Sequence, residues 1–207
     1  MMQNSGVVEV HEDLRVRRTR KMLVAAFMEL TVEKGFAAVT VRDITDRAMV
    51  NRSTFYRHFL DKYDLLDQYM TDVYGSASDE KLAEEKVARK KDFAPPGLTS
   101  LLKHIQEFPD FYRVMLGAQG DPKFIDRFRK NSERRLRALL EYVGDGDPNG
   151  SPIELRLSYA SCAGIGVILW WLENNQPCTV EQLAVWLSQL TGTSVGLAIK
   201  PTQSAQS

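Results

Sequence analysis

Apolar residues recur at helical spacing through most of the chain, and no segment shows the alternation expected of a half-buried strand. The clearest early stripes are Leu23, Ala26, Phe27 and Leu30, followed by Leu65, Leu66, Tyr69, Met70 and Val73. Further helices are predicted at 98–107, 109–117, 121–143, 152–173 and 179–190. The charged segment 80–92 and the turn-forming segment 144–152 are predicted to be solvated. The chain is therefore predicted to be all-α.

Residues 40–62 predict two short helices joined by a tight connection. Thr40, with Asp43 three residues later, forms a variant of the capping box, and the helix it begins is predicted to end near Ala48. In the second helix Phe55 and Phe59 are four residues apart and are predicted to point inward. The remaining surface of that helix is polar, with Arg52, Ser53, Thr54, Tyr56, Arg57 and His58. A second helix so rich in donors is typical of a helix-turn-helix that reads DNA.

A DNA-reading helix needs hydrogen-bond donors of two kinds. Contacts with the phosphates give affinity and orientation, and contacts with base edges give specificity. Base-edge contacts are predicted for Arg52, Ser53, Thr54 and Arg57, and phosphate contacts for Tyr56, His58 and Lys62. Thr40 and Arg42, near the start of the preceding helix, complete the predicted DNA-binding set there. The alternative for Tyr56 and His58 is that they cap and pack a small helical domain.

A basic segment, Arg15 to Lys21, precedes these helices, and its Arg17 and Arg18 are predicted to lie along phosphates. The alternative is a solvated charged face. The chain has no net charge, but residues 1–62 contain 11 Lys and Arg against 8 Asp and Glu, and the remainder 16 against 19. This mild asymmetry favours one local nucleic-acid-binding surface over nonspecific binding through the whole molecular surface. RNA is disfavoured, since no exposed aromatic platform is recognised.

Several motifs occur in order, namely Glu33-Lys34-Gly35-Phe36, Thr40-Val41 and Phe55-Tyr56-Arg57-His58-Phe59 with Lys62. Over residues 16–70 this series resembles the DNA-binding domain of tetracycline-repressor-type (TetR) transcriptional regulators. The resemblance implies a three-helix DNA-binding domain at 14–62 and a helical ligand-binding and dimerisation domain at 63–193, with flexible tails at 1–13 and 194–207. It also implies a repressor that binds a pseudo-palindromic operator and responds to a small molecule. An activator without a ligand and a helical protein adaptor are the alternatives.

The last two predicted helices are apolar on more than one side, which predicts a second packing partner. The predicted homodimer interface contains Leu157, Ala160, Gly164, Val167, Trp171, Leu183 and Leu187. A second apolar stripe on the first of these helices contains Leu155, Tyr159, Cys162, Gly166 and Leu169. The resemblance supports a dimer, because TetR regulators pair through the last two helices of each subunit. Two-fold symmetry would then place the two recognition helices roughly 34–36 Å apart.

Aromatic residues concentrate in the middle of the chain, where TetR regulators enclose a small-molecule site. The candidate lining residues are Phe108, Phe111, Tyr112, Met115, Phe124, Phe128 and Trp170. An aromatic lining would suit an apolar or aromatic effector. The alternative is that these residues are ordinary core.

Other functions find little support in the sequence. His11, His58 and His104 are scattered, and neither HExxH nor GxSxG occurs, so an enzyme is not predicted. Cys162 and Cys178 lack metal-ligand spacing, and neither a metal nor a cofactor is predicted. The apolar run 159–172 is too short to span a bilayer. The predicted protein is cytoplasmic and bacterial, and its predicted partners are double-stranded DNA, a second copy of itself and an unknown small-molecule effector.

Overall fold

A computed structural model describes residues 14–75, 96–118, 120–143 and 150–196, and within these it contains nine α-helices and no strand. The N-terminal helices are α1 (Leu14–Lys34), α2 (Val41–Arg47), α3 (Arg52–Tyr56) and α4 (Lys62–Gly75), with a 3-10 turn at Phe36–Ala38. The others are α5 (Pro96–Glu107), α6 (Pro109–Leu116), α7 (Pro122–Val143), α8 (Ile153–Glu173) and α9 (Val180–Val195). The all-α prediction is confirmed. The predicted solvated segment 80–92, most of the predicted loop 144–152 and both chain ends lie outside the described residues.

Most helix starts follow from local sequence. Prolines stand at the first position of α5, α6 and α7, where a missing N–H costs nothing because the first turn has no acceptor for it. Thr179 caps α9, since its side chain accepts from the Gln182 N–H at 3.2 Å. These signals explain why the predicted and observed starts agree within two residues.

The end of α9 differs from the prediction, because the helix continues five residues past Leu190. The polar run after Leu190 suggests a break, but Thr193 and Ser194 each donate a hydrogen bond to the carbonyl four residues earlier and stay helical. Val195 is fully buried and its carbonyl accepts from Arg156 at 2.6 Å. Residues 194 and 195 therefore belong to the packed helix and not to the predicted flexible tail.

One continuous hydrophobic cluster runs from the N-terminal helices into the C-terminal ones. Phe27 of α1 is fully buried within this cluster. Its ring lies 5.9 Å from that of Phe36 in the 3-10 turn and 6.0 Å from that of Phe111 in α6, with edge-on geometry in both pairs. The cores of the N-terminal and C-terminal parts are thus continuous, and Phe27 contacts aromatic rings of both.

The C-terminal helices are organised around α8, which packs against α6, α7 and α9. Trp171 of α8 is fully buried, and its indole N–H donates to the Cys178 carbonyl at 3.0 Å. Arg113 of α6 donates to the Leu172 carbonyl at 2.9 Å, which satisfies a carbonyl near the C-terminal end of α8. These bonds fix the end of α8 against α6 and against the connection to α9.

We expect Phe27→Ala to destabilise the whole protein by about 3–5 kcal/mol, because it removes a fully buried ring from the junction of the two halves. Urea unfolding followed by helical circular dichroism would measure the loss, with Phe27→Leu as a milder control. Both halves should unfold in one transition. A separate early transition confined to residues 14–75 would contradict a shared core.

Candidate nucleic-acid interface and regulatory domain

The first helix of the predicted helix-turn-helix, α2, begins at a reciprocal cap. Thr40 Oγ1 accepts from the Asp43 N–H at 3.2 Å, and Asp43 Oδ2 accepts from the Thr40 N–H at 2.8 Å. Lys34 Nζ lies 2.7 Å from the same carboxylate, and this contact, with the Thr40 bonds, holds the pKa of Asp43 far below its ordinary value. The Thr40 hydroxyl donates to Asp43 at 2.6 Å. Thr40 was predicted to contact DNA, but its hydroxyl is committed to the cap.

The connection from α2 to α3 is short because Met49 adopts a left-handed conformation, with φ of +54°. The Val50 N–H then turns back to the Thr45 carbonyl at 3.0 Å. Phe55 and Phe59 are buried, with ring centroids 5.6 Å apart, as their spacing predicts. These two rings hold the inner side of α3 against the core and fix which of its residues face outward.

The outward side of α3 and the residue that follows the helix carry two arginines, Arg52 and Arg57, each oriented by an internal hydrogen bond. Arg52 donates to the Tyr56 hydroxyl at 3.3 Å, and its guanidinium carbon lies 6.0 Å from the Tyr56 ring centroid. Arg57 donates to Thr54 Oγ1 at 3.1 Å. A guanidinium has five N–H donors, so one internal bond orients each arginine and leaves others for DNA. Ser53, between these pairs, is exposed.

His58 lies at the edge of this surface and is only partly exposed, beside the Phe59 ring. Its backbone carbonyl accepts from Gln68 of α4 at 3.3 Å, which ties the end of the recognition segment to the next helix. The contact of the His58 ring with the Phe59 ring fits the packing alternative for this side chain.

The basic residues of α1 and α2 fall into two groups. Arg17 and Arg18 are exposed on the first turns of α1, and Arg42 is exposed on α2 with its Nε 3.5 Å from Asp46. Arg47 instead bonds Glu33 at 2.7 Å and Glu29 at 3.1 Å, which fastens α2 to α1. Arg47 is thus a structural residue, whereas a role of Arg17, Arg18 and Arg42 at DNA stays a prediction.

Lys62 has a position different from the one predicted. Its ammonium donates to three carbonyls of the turn between α1 and α2, those of Phe36 at 2.9 Å, Ala37 at 3.0 Å and Val39 at 2.9 Å. It also lies 4.6 Å from the Phe36 ring centroid. An ammonium has three donors, and all three are used here. Lys62 was predicted to contact a phosphate, but its donors are committed to these carbonyls within the protein.

The predicted effector-lining residues are mostly packed against one another. Phe111, Tyr112, Met115, Phe124 and Phe128 are each at most 2% exposed, and the neighbouring aromatic rings lie 5.5–6.2 Å apart. Phe108 is partly buried and packs on the same cluster. The arrangement favours the alternative that these side chains are core.

A cleft of about 330 Å³ lies beside this cluster, between α4 and α5. Its lining consists of Val73, Ser100, Lys103, His104 and Glu107. No spacing signal singled these residues out, because the cleft forms only where two helices distant in sequence meet.

His104 connects the cleft to the buried aromatic cluster. His104 Nε2 lies 2.6 Å from the Tyr69 hydroxyl, which is 3.4 Å from the Tyr112 hydroxyl. Burial lowers the pKa of His104, and burial raises the pKa of both tyrosines, so all three groups are neutral at physiological pH. A neutral imidazole that accepts from Tyr69 carries its proton on Nδ1, which makes it a hydrogen-bond donor.

The predicted dimer seam on α8 has the wrong phase. Leu157, Ala160 and Trp171 are buried within the subunit, as are Leu183 and Leu187 of α9, while Gly164 and Val167 are half-buried. The exposed apolar surface follows instead most of the second stripe. We define the outer stripe as Leu155, Tyr159, Gly166 and Trp170 of α8 with Trp186 and Leu190 of α9.

The two adjacent tryptophans of α8 show this error most clearly. Trp171 was assigned to the dimer interface but is fully buried, whereas Trp170 was assigned to the effector site but is 47% exposed. Neighbouring residues on a helix point about 100° apart, so a small phase error exchanges their environments.

Comparison with known proteins identifies the family. The sequence profile of bacterial regulatory proteins of the tetR family matches residues 23–69, and that of a transcriptional regulator C-terminal region matches residues 92–192. This chain belongs to the TetR family of transcriptional regulators. It is therefore a DNA-binding regulator and not an enzyme.

Individual relatives agree with this assignment. An uncharacterised HTH-type transcriptional regulator of Bacillus subtilis, YxbF, is 44% identical over 55 residues, which are 26% of this chain and only 14% of that relative. The solved TetR regulator of Streptococcus agalactiae is 26% identical, with a TM-score of 0.63 over 86% of this chain and 96% of that one. DhaS, a dihydroxyacetone kinase operon activator, has a TM-score of 0.60 at 20% identity over the same shares, which shows the common fold.

Helix α8 is strongly apolar along its length. This helix of 21 residues is long and apolar enough to cross a bilayer by length and composition alone, with a mean hydropathy of 1.4. The apolar run predicted from the sequence, 159–172, is shorter than the apolar helix that the structure shows. Core helices of water-soluble proteins pass the same test. Its inner residues pack against α6, α7 and α9, and its outer residues form the outer stripe.

Proposed function

We propose that this TetR regulator is a repressor that binds a pseudo-palindromic operator as a homodimer through the outward side of α3. The observation that carries the proposal is the pair of arginines held by internal hydrogen bonds, Arg52 on α3 and Arg57 directly after it, in a segment held against the core by Phe55 and Phe59. Arginine forks recognise guanine in the major groove, and ordering them in advance reduces the entropy lost on binding. Such a DNA-bound regulator would work in the bacterial cytoplasm.

Selection of bound sequences from a random duplex library, followed by titration at two salt concentrations, tests operator binding directly. An inverted repeat with half-sites one helical turn apart and a steep salt dependence is expected. Transcription from a promoter that contains the selected site would then distinguish repression from activation, the second candidate, which the fold shared with an operon activator brings into consideration.

We expect Arg52→Ala and Tyr56→Phe to act differently on that operator. Arg52→Ala should cost roughly 1–3 kcal/mol and relax preference at one base position, whereas Tyr56→Phe should weaken all sequences alike. The double variant is needed as well, because the Arg52–Tyr56 bond couples the two side chains. Lys130→Ala, at an exposed position of α7 outside the predicted DNA-binding set, serves as a control. Equal losses on every sequence for both single variants would contradict this division of roles.

Dimerisation is assigned to the outer stripe. A monomer that exposes Leu155 (62%), Tyr159 (63%) and Leu190 (61%) on adjoining helices leaves an apolar surface that a second copy can cover. The stripe is the same on both copies, as a two-fold interface requires. Covering it would also fix the separation of the two α3 helices.

We expect Tyr159→Arg to convert the dimer to a monomer of 23.5 kDa, measured by sedimentation or light scattering, because paired copies would bury two unpaired charges. Operator affinity should fall when the dimer dissociates, because a monomer contacts only one half-site. Val32→Arg, a matched change at an exposed apolar position of α1, should leave the dimer intact. A Tyr159→Arg protein that remains dimeric would place the interface elsewhere.

We propose further that a small-molecule effector binds in the cleft beside His104. Its volume is within the usual range for ligand pockets, and a neutral His104 that accepts from Tyr69 would offer its Nδ1–H to a ligand. The bound state would favour a dimer geometry that no longer matches the operator.

A thermal-shift screen of small molecules, repeated on the operator complex, tests the effector site. A compound at 100 times its Kd should stabilise the protein by about 2.7 kcal/mol. We expect its effect to disappear in His104→Phe and to survive in His104→Gln, which keeps a polar group near Tyr69. A hit that stabilises His104→Phe equally would bind at another site.

A further inference from the structure

The start of α4 is held rigidly in place. Asp61 Oδ1 accepts from the N–H groups of Tyr63 and Asp64, both at 2.8 Å, and Asp64 Oδ2 accepts from the Leu60 N–H at 2.8 Å. Lys62, inside this cap, reaches across to the turn at Phe36–Ala38. Its ammonium is therefore presented from a fixed backbone.

The three acceptors of Lys62 lie just before α2. The third, the carbonyl of Val39, belongs to the residue preceding Thr40, which caps α2. The ammonium also lies over the Phe36 ring, and that ring contacts Phe27 in the shared core. Burial lowers the pKa of Lys62, while Asp61 and Asp121 oppose the shift and favour the charged form. One side chain thus connects the first turn of α4 to the start of the helix-turn-helix.

We propose that Lys62 is a positioning residue for DNA binding, which acts by clamping the α1–α2 turn to α4 instead of neutralising a phosphate. The proposal rests on the proposed operator binding through α3 and adds how that helix is oriented. When α4 shifts, the turn and the start of α2 must shift with it or lose three charge-assisted bonds. The clamp therefore makes α2 follow α4.

Arginine distinguishes the clamp from a phosphate contact. A guanidinium is a planar fork that suits phosphate at least as well as an ammonium does, so Lys62→Arg would preserve a phosphate contact. Three carbonyls converging on one nitrogen require the compact, three-donor geometry of an ammonium. The two roles therefore predict opposite results for the same conservative substitution.

The test compares wild type, Lys62→Arg and Lys62→Met on the selected operator over a range of salt concentrations. We expect both variants to lose operator affinity by about tenfold or more, with the salt slope unchanged. Arg18→Ala, at a residue predicted to lie along phosphates, provides the reference, because a lost phosphate contact lowers the slope of log affinity against log salt by about 1. Normal affinity in Lys62→Arg, together with a reduced slope in Lys62→Met, would overturn the proposal.

Amide hydrogen exchange on the free, full-length variants provides a second measurement that does not depend on DNA. Protection should fall at residues 36–45 in both variants and stay at the wild-type level in α8, which also shows that the protein remains folded. Unchanged exchange at 36–45 would overturn the clamp. If wild-type protein selects no operator, the proposed function fails, while this measurement still decides whether the clamp exists.

Discussion

The edge-on contacts of Phe27 with Phe36 and Phe111 are the constraint on which the rest of the structure depends. They make one core of what the sequence suggests are two domains, so the orientation of α1 also sets the orientation of the DNA-facing helices. Tyr69 extends the same contacts, since its ring lies 5.7 Å from Phe111 while its hydroxyl bonds His104. His104 at the cleft is therefore connected to Phe27 of α1 through a continuous series of packed side chains, Tyr69 and Phe111.

The N-terminal half was largely predictable, because local chemistry decides its structure. The reciprocal cap at Thr40 and the inward Phe55 and Phe59 depend on spacings of three and four residues, which the sequence displays directly. The exposed donors of α3 follow, since whatever the two rings do not bury must face outward. The assignment of individual donors was less secure, because the Thr40 hydroxyl has an intramolecular partner that competes with DNA.

The errors concern contacts between residues far apart in sequence. Lys62 bonds a turn 26 residues earlier, and no local pattern shows whether its ammonium points toward that turn or toward solvent. On α8 both stripes are apolar, so periodicity identifies a helix with two packing sides without saying which side faces the subunit's own core. The cleft beside His104 arises where α4 meets α5, and its mixed lining resembles any solvated helix surface.

The distribution of the three tryptophans has a practical consequence. Trp171 is sealed inside the subunit, while Trp170 and Trp186 face outward on neighbouring helices. Indole emission moves to shorter wavelength when the ring leaves water. Two of the three tryptophans therefore lie where a second copy would shift their emission wavelength, and the buried third provides an internal reference. Association of the chain is thus readable in its natural fluorescence, without a label and at concentrations too low for most sizing methods.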